Sequence, residues 1–208
     1  MKKLIVLTGL LLAAVSGFAA PATLVFTSFN QGLWQLGYPY TATVNGVSGV
    51  AVICGDWAHG GQPGDTWQAN VTDLGNGNLA NLRFNQLPDA VTLYDEAGWL
   101  LLQTQVTQPA QWPDINYAVW HIFDSTAPLG GNAQYWLTQA QQEASNNFPG
   151  VNFHDILIYT PLNQYGVDVN GNLDPNAPQE LLRPVPEPTT LVFLAGGSLG
   201  VWVRRKIL

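Results

Sequence analysis

The chain has 208 residues and a formal net charge of −7, with 10% charged residues, 47% hydrophobic residues, 21 Gly, 14 Pro and 8 Trp. That length holds one ordinary domain with tails, and the apolar fraction excludes a disordered chain. Between Ala20 and Pro184 only Arg83 and Arg183 are basic, against 13 acidic side chains, so a body at net −11 repels nucleic acid and anionic membrane surfaces.

That stretch contains no lysine, which rules out a Lys–Asn isopeptide crosslink within it. The single cysteine, Cys54, rules out an intramolecular disulfide and reads first as a buried small hydrophobe.

Residues 1–19 carry the pattern of a secretory signal peptide. Lys2 and Lys3 supply the positive start, Leu4 to Val15 the apolar stretch, and Gly17-Phe18-Ala19 the small-residue exit. Export with removal of this segment by signal peptidase is the expectation.

Residues 21–183 form the exported domain. Ala22–Ser28, Tyr40–Val44, Val47–Cys54 and Thr66–Thr72 are rich in Val, Thr and aromatics and predict strands, with Asn45-Gly46 as a two-residue hairpin turn. The period then changes. Asp89 predicts the cap of a helix running to about Gln103, with Asp95 and Glu96 near its start, where the helix dipole favours negative charge. Pro113-Asp114 opens a second helix, in which Ile115, Ala118, Val119 and Ile122 share a stripe and Tyr117, Trp120 and Phe123 extend it nearly all round. A third, amphipathic helix covers about Asn132 to Ser145. Strand pattern returns at Phe153–Thr160 and at Glu180–Leu182. The predicted class is α+β: an N-terminal antiparallel β layer, a central helical segment and returning C-terminal strands, in one domain with a short C-terminal membrane helix.

The tail, residues 184–208, holds Pro186-Glu187-Pro188, an apolar stretch predicting a transmembrane segment over 190–203, and Arg204-Arg205-Lys206. The stretch is short for a span of about 20 residues and contains Gly196, Gly197 and Gly200, which argues for a temporary anchor with its cationic end in the cytoplasm. Gly196-Gly197-Ser198-Leu199-Gly200 fits the hydrolase G-x-S-x-G pattern, but inside an apolar plug it lacks the strand-to-helix elbow that chemistry needs. Pro186, Glu187, Pro188, the glycine-bearing stretch and Arg204-Arg205 together resemble the PEP-CTERM sorting tail. The resemblance implies a Gram-negative exporter with exopolysaccharide machinery. It further implies recognition and cleavage by a membrane exosortase, and a final address at the cell surface or in the extracellular matrix.

In the body, Cys54-Gly55-Asp56-Trp57 ends a strand and Asn116-Tyr117-Ala118-Val119-Trp120 lies on the core helix. This pair resembles the two signatures of bacterial thioester domains, in which a cysteine joins the glutamine of a Gln-x-Ala-Ile-Trp-like helix. Here Asn116 stands where the family has glutamine, roughly 1.5 Å shorter in reach. Asn116 therefore reads as a buried amide bonded to the strand-end backbone. The alternative is a working adhesin that links covalently through Cys54, with Gln103 or Gln105 as substitute partners outside the motif position.

Other constellations are weaker. Asp168, Asn170, Asn172 and Asp174 alternate like a calcium loop, but Leu173 replaces its glycine and Gln179 its glutamate, so an Asn170-Gly171 hairpin explains them better. His59, His121 and His154 share no ligand spacing. Trp34, Trp57 and Trp112 sit in Gly- or Pro-flanked segments and are the candidates for a sugar-stacking platform facing exopolysaccharide. The expectation is a non-enzymatic surface or matrix-associated protein without cofactor or metal.

Overall fold

A computed structural model describes residues 21–28, 39–60, 63–162 and 178–185. Four strands fall where the Val-, Thr- and aromatic-rich segments lie: β1 Ala22–Ser28, β2 Tyr40–Val44, β3 Val47–Cys54 and β4 Thr66–Asp73. Three helices follow, α1 Ala90–Gln103, α2 Trp112–Phe123 and α3 Ala133–Ser145. The chain returns to strand in β5 Ile156–Pro161 and β6 Leu181–Pro184. The mixed helix and strand content agrees with the sequence reading. The signal peptide, Trp34, the segment 168–174 and the tail from Pro186 onward lie outside the described residues.

The strand arrangement is closer than a β layer with added strands. All six strands pair antiparallel in the order β1-β2-β3-β6-β5-β4 and close into a barrel. The returning strands complete this wall because both of their faces are apolar. Tyr159 and Leu181 join the barrel core, while Ile156, Ile158 and Leu182 join the core beneath the helices. A strand buried on both sides must stand between two layers. Phe153, expected at the start of β5, instead opens a 3-10 turn, Phe153–Asp155.

The β2–β3 hairpin turns on Asn45 (φ 50°) and Gly46 (φ 82°), the left-handed pair that a two-residue turn requires. The Asn45 carboxamide also accepts from the Thr23 N–H at 2.8 Å and ties the turn to β1. Helix α2 is apolar nearly all round because it serves both cores. Ile115, Ala118, Val119 and Phe123 pack among the helices, whereas Trp120 joins the barrel interior. Among the described residues no helix is long and apolar enough to cross a membrane.

Two expectations at α1 are corrected. Asp89 has φ 57° and its side chain makes no capping hydrogen bond, so it is a turn residue with left-handed backbone rather than a side-chain cap. Asp95 and Glu96 fall in the second turn, too far in for the dipole at the N-terminus to explain them. Glu96 is buried, and burial pushes its carboxyl from 4.5 to about 7. Burial likewise pushes Asp95 to about 6. A carboxyl raised in the folded state holds its proton better there than in the unfolded chain. Its contribution is therefore fully present below pH 4.5 and is lost as the pH rises toward 7. Urea midpoints measured across that window should fall with rising pH, and Glu96→Gln should flatten the fall. An unchanged slope in Glu96→Gln would refute the assignment.

Candidate functional site

Cys54, the last residue of β3, and Asn116, in the second turn of α2, meet at the junction of the two cores. Both are fully buried. Asn116 Nδ2 donates to the Cys54 carbonyl at 3.1 Å, across 62 residues of sequence. The amide thus faces the strand-end backbone. Asn116 Oδ1 is buried with no hydrogen-bond partner among the described residues. The thiol is engaged elsewhere: Cys54 Sγ donates to the Asp56 carbonyl at 3.1 Å and accepts from the Asp56 N–H at 3.3 Å. Burial pushes this thiol up to about 12, the Asp56 carboxylate adding to the rise, so it is a neutral donor near pH 7. Gly55 permits the chain to leave β3 here. A Cβ would stand 2.8 Å from Leu182 Cδ1, and the Gly55 N–H donates to the Glu180 carbonyl at 2.9 Å.

Beside the cysteine lies a buried polar network that the sequence reading missed. Asp56, Arg83 and Glu180 are 2%, 8% and 0% exposed. The Arg83 guanidinium pairs with Asp56 Oδ2, and its other nitrogen donates to the Pro178 carbonyl at 2.7 Å. His59 Nδ1 stands 2.7 Å from the same Asp56 oxygen. Glu180 accepts from the Arg83 N–H at 3.0 Å, from the Tyr94 hydroxyl at 2.7 Å and from the Thr160 hydroxyl. Burial pushes the Glu180 carboxyl up, and those donors with the guanidinium pull against it. The network joins the β3 end, the loop before α1, α1 itself, β5 and the segment entering β6. It fixes the floor on which Cys54 and Asn116 sit. A signal for it existed: Arg83 lies between Leu82 and Phe84 in a body with only two basic residues.

The sugar-stacking candidates separate. Trp57 is 36% exposed, and its ring packs on Trp120 with centroids 5.1 Å apart. Trp112 is half-buried in the first turn of α2, a helix start rather than a loop. His121 is half-buried with Nδ1 2.8 Å from the Ala127 carbonyl, a structural role. Gln103 and Gln105 line a groove of about 920 Å³ with Trp99, Ala51, Arg183, Pro184 and Val185, and Gln103 Nε2 bonds the Trp99 carbonyl. Among the described residues no group of three or more His, Cys, Asp or Glu side chains could hold a metal.

β6 ends at Pro184, and Val185 is the last described residue of the wall before the tail. Residues 184–206 match the PEP-CTERM protein-sorting motif. The PEP-CTERM motif implies export, membrane-anchored processing by exosortase and sorting to the surface, with exosortase as the processing partner. It starts on the closing strand, so the sorting signal is joined to the body with no spacer. No curated protein matches the chain in sequence. Among solved structures, the N-terminal thioester domain of a surface protein from Clostridium perfringens is similar, at 12% identity and a TM-score of 0.42 over 78% of this chain and 97% of that one.

Proposed function

We propose that this is a non-enzymatic surface or matrix-associated protein, delivered by its PEP-CTERM tail, whose barrel domain contacts the host's exopolysaccharide or cell surface. The observation that carries the reading is the state of the Cys54–Asn116 pair in the body that the tail delivers. Its thiol is neutral and bonded to Asp56, and its amide is turned onto backbone, which supports a binding domain over a reactive one. Trp57 supports the exopolysaccharide contact, as a half-exposed indole held rigid by Trp120 in a strongly acidic body. Stacking on a sugar face is largely apolar and survives salt, whereas charge attraction does not.

The test uses exported protein from a wild-type host and from one lacking exosortase. The wild type should release protein without residues beyond Pro186-Glu187-Pro188, and the deletion should retain the whole tail in the membrane fraction. In affinity electrophoresis the released protein should be retarded by the host's own polymer at both low and high salt. Trp57→Ala should weaken that retardation by roughly 3- to 10-fold in apparent affinity. Equal tails from both hosts would end the sorting part of the reading. Unchanged mobility at every polymer concentration would end the exopolysaccharide part.

A further inference from the structure

Among the described residues the barrel closes most sparsely between β3 and β6. These strands pair only at Ile53↔Leu182 and Cys54↔Leu181. β6 continues along β5 to Ile156↔Pro184, and the Val185 N–H donates to the Asp155 carbonyl at 2.7 Å. Ala51, Pro184 and Val185 line the 920 Å³ groove where β3 and β6 part.

The backbone directions explain the parting. In an antiparallel strand, alternate residues turn both N–H and C=O toward opposite neighbours. The Val185 bond to Asp155 sets odd-numbered residues of β6 toward β5. The Gly55 N–H to Glu180 O bond sets even-numbered ones toward β3. The β3–β6 register, carried to the next bonded pair, places Ala51 opposite Pro184. Every even residue from 184 to 188 is a proline. Each would have to give β3 an N–H that it lacks. Gly49 adds a second obstacle, since its φ of 71° and the register shift of the β2–β3 ladder bend the edge away there.

We infer that Pro184 is a positioning residue for tail processing: with no N–H to give Ala51, it ends the β3–β6 ladder ahead of the Pro186-Glu187-Pro188 element, so that the membrane peptidase need not unzip a strand to reach it. This rests on the reading of the tail as a processed signal.

The experiment is Pro184→Val in the full-length protein, expressed in its host and compared with wild type in pulse–chase. Valine supplies the missing N–H opposite Ala51 and favours strand. One added ladder bond makes the tail roughly 2- to 10-fold less often free, and processing should slow by about that factor. The thermal midpoint of the purified protein should stay the same or rise, an outcome that a merely structural role for proline would reverse. Hydrogen exchange of the residue-184 amide should be slow in the variant. Equal processing rates with a fast-exchanging amide would overturn the inference. If the wild type itself is never processed, the sorting reading fails, and slow or fast exchange at residue 184 still decides whether proline ends the β3–β6 ladder.

Discussion

Arg83→Met should cost the body about 3–5 kcal/mol at pH 7, read as a lowered guanidinium midpoint with an unchanged slope. Arg83 is 8% exposed, and its guanidinium is the cation facing Asp56, itself 2% exposed. Methionine fills much of the same volume but leaves Asp56 buried with His59 and the Ala58 N–H as its remaining side-chain partners, and removes the positive charge felt by Glu180. The backbone bond from residue 83 to Glu180 survives the substitution, so the loss reports the guanidinium, its charge and its bond to the Pro178 carbonyl together. The pH dependence gives the sign. Without the guanidinium that pulls against it, burial raises the Glu180 carboxyl further, so the penalty should shrink as the pH is lowered toward 5. Replacing the whole charged set, Arg83→Met with Asp56→Asn and Glu180→Gln, should recover most of the loss, because no unpaired charge then remains buried. A penalty under about 1 kcal/mol, or one equal at pH 5 and pH 7, would show that the network is not what holds the barrel end.

The contrast between this network and the strands shows what the sequence could disclose. β1, β2 and β3 were legible to the residue because Val-, Thr- and aromatic-rich runs and the Asn45-Gly46 turn are local signals. The three helices were legible within a few residues for the same reason. Barrel closure was not, since it depends on β6, four residues long, finding β3 and β5 from far along the chain. Glu180 read only as the first residue of a last short strand. Its partners, Arg83 and Tyr94, lie 97 and 86 residues away, and no local period encodes them. Asp95 and Glu96 misled in the opposite sense. Adjacent acids near a helix start suggest dipole pairing, yet the helix begins early enough to carry Glu96 into a buried position. The Cys54–Asn116 approach was reached through motif resemblance, while the direction of the amide came from its length.

That direction has a chemical consequence: the native body should have an intact mass with no ammonia lost, before and after methylamine. Forming a thioester would join Cys54 Sγ to the side-chain carbonyl carbon of residue 116 and break the C–N bond, the amide nitrogen leaving as ammonia with the thiol proton. Two features oppose it. The thiol, pushed up to about 12 by burial, is held protonated at pH 7, and its proton is held on the Asp56 carbonyl. The amide nitrogen is held on the Cys54 carbonyl at 3.1 Å, which keeps the short Asn116 arm on backbone. The pair is therefore a structural bond, and its loss is measurable. Asn116→Ala should cost about 1–3 kcal/mol by leaving the Cys54 carbonyl buried without its donor. Cys54→Ala should cost about 1 kcal/mol or more as a small core truncation, with no other change in mass. Asn116→Gln separates the two obstacles, because it restores reach without changing the burial of the thiol. If thiol ionisation is the barrier, the glutamine variant keeps its full mass and loses stability by overpacking, about 1–3 kcal/mol. If arm length is the barrier, the variant loses one ammonia and takes up methylamine at residue 116. A wild-type mass already short by one ammonia would overturn the structural reading of this pair and make the domain a covalent adhesin.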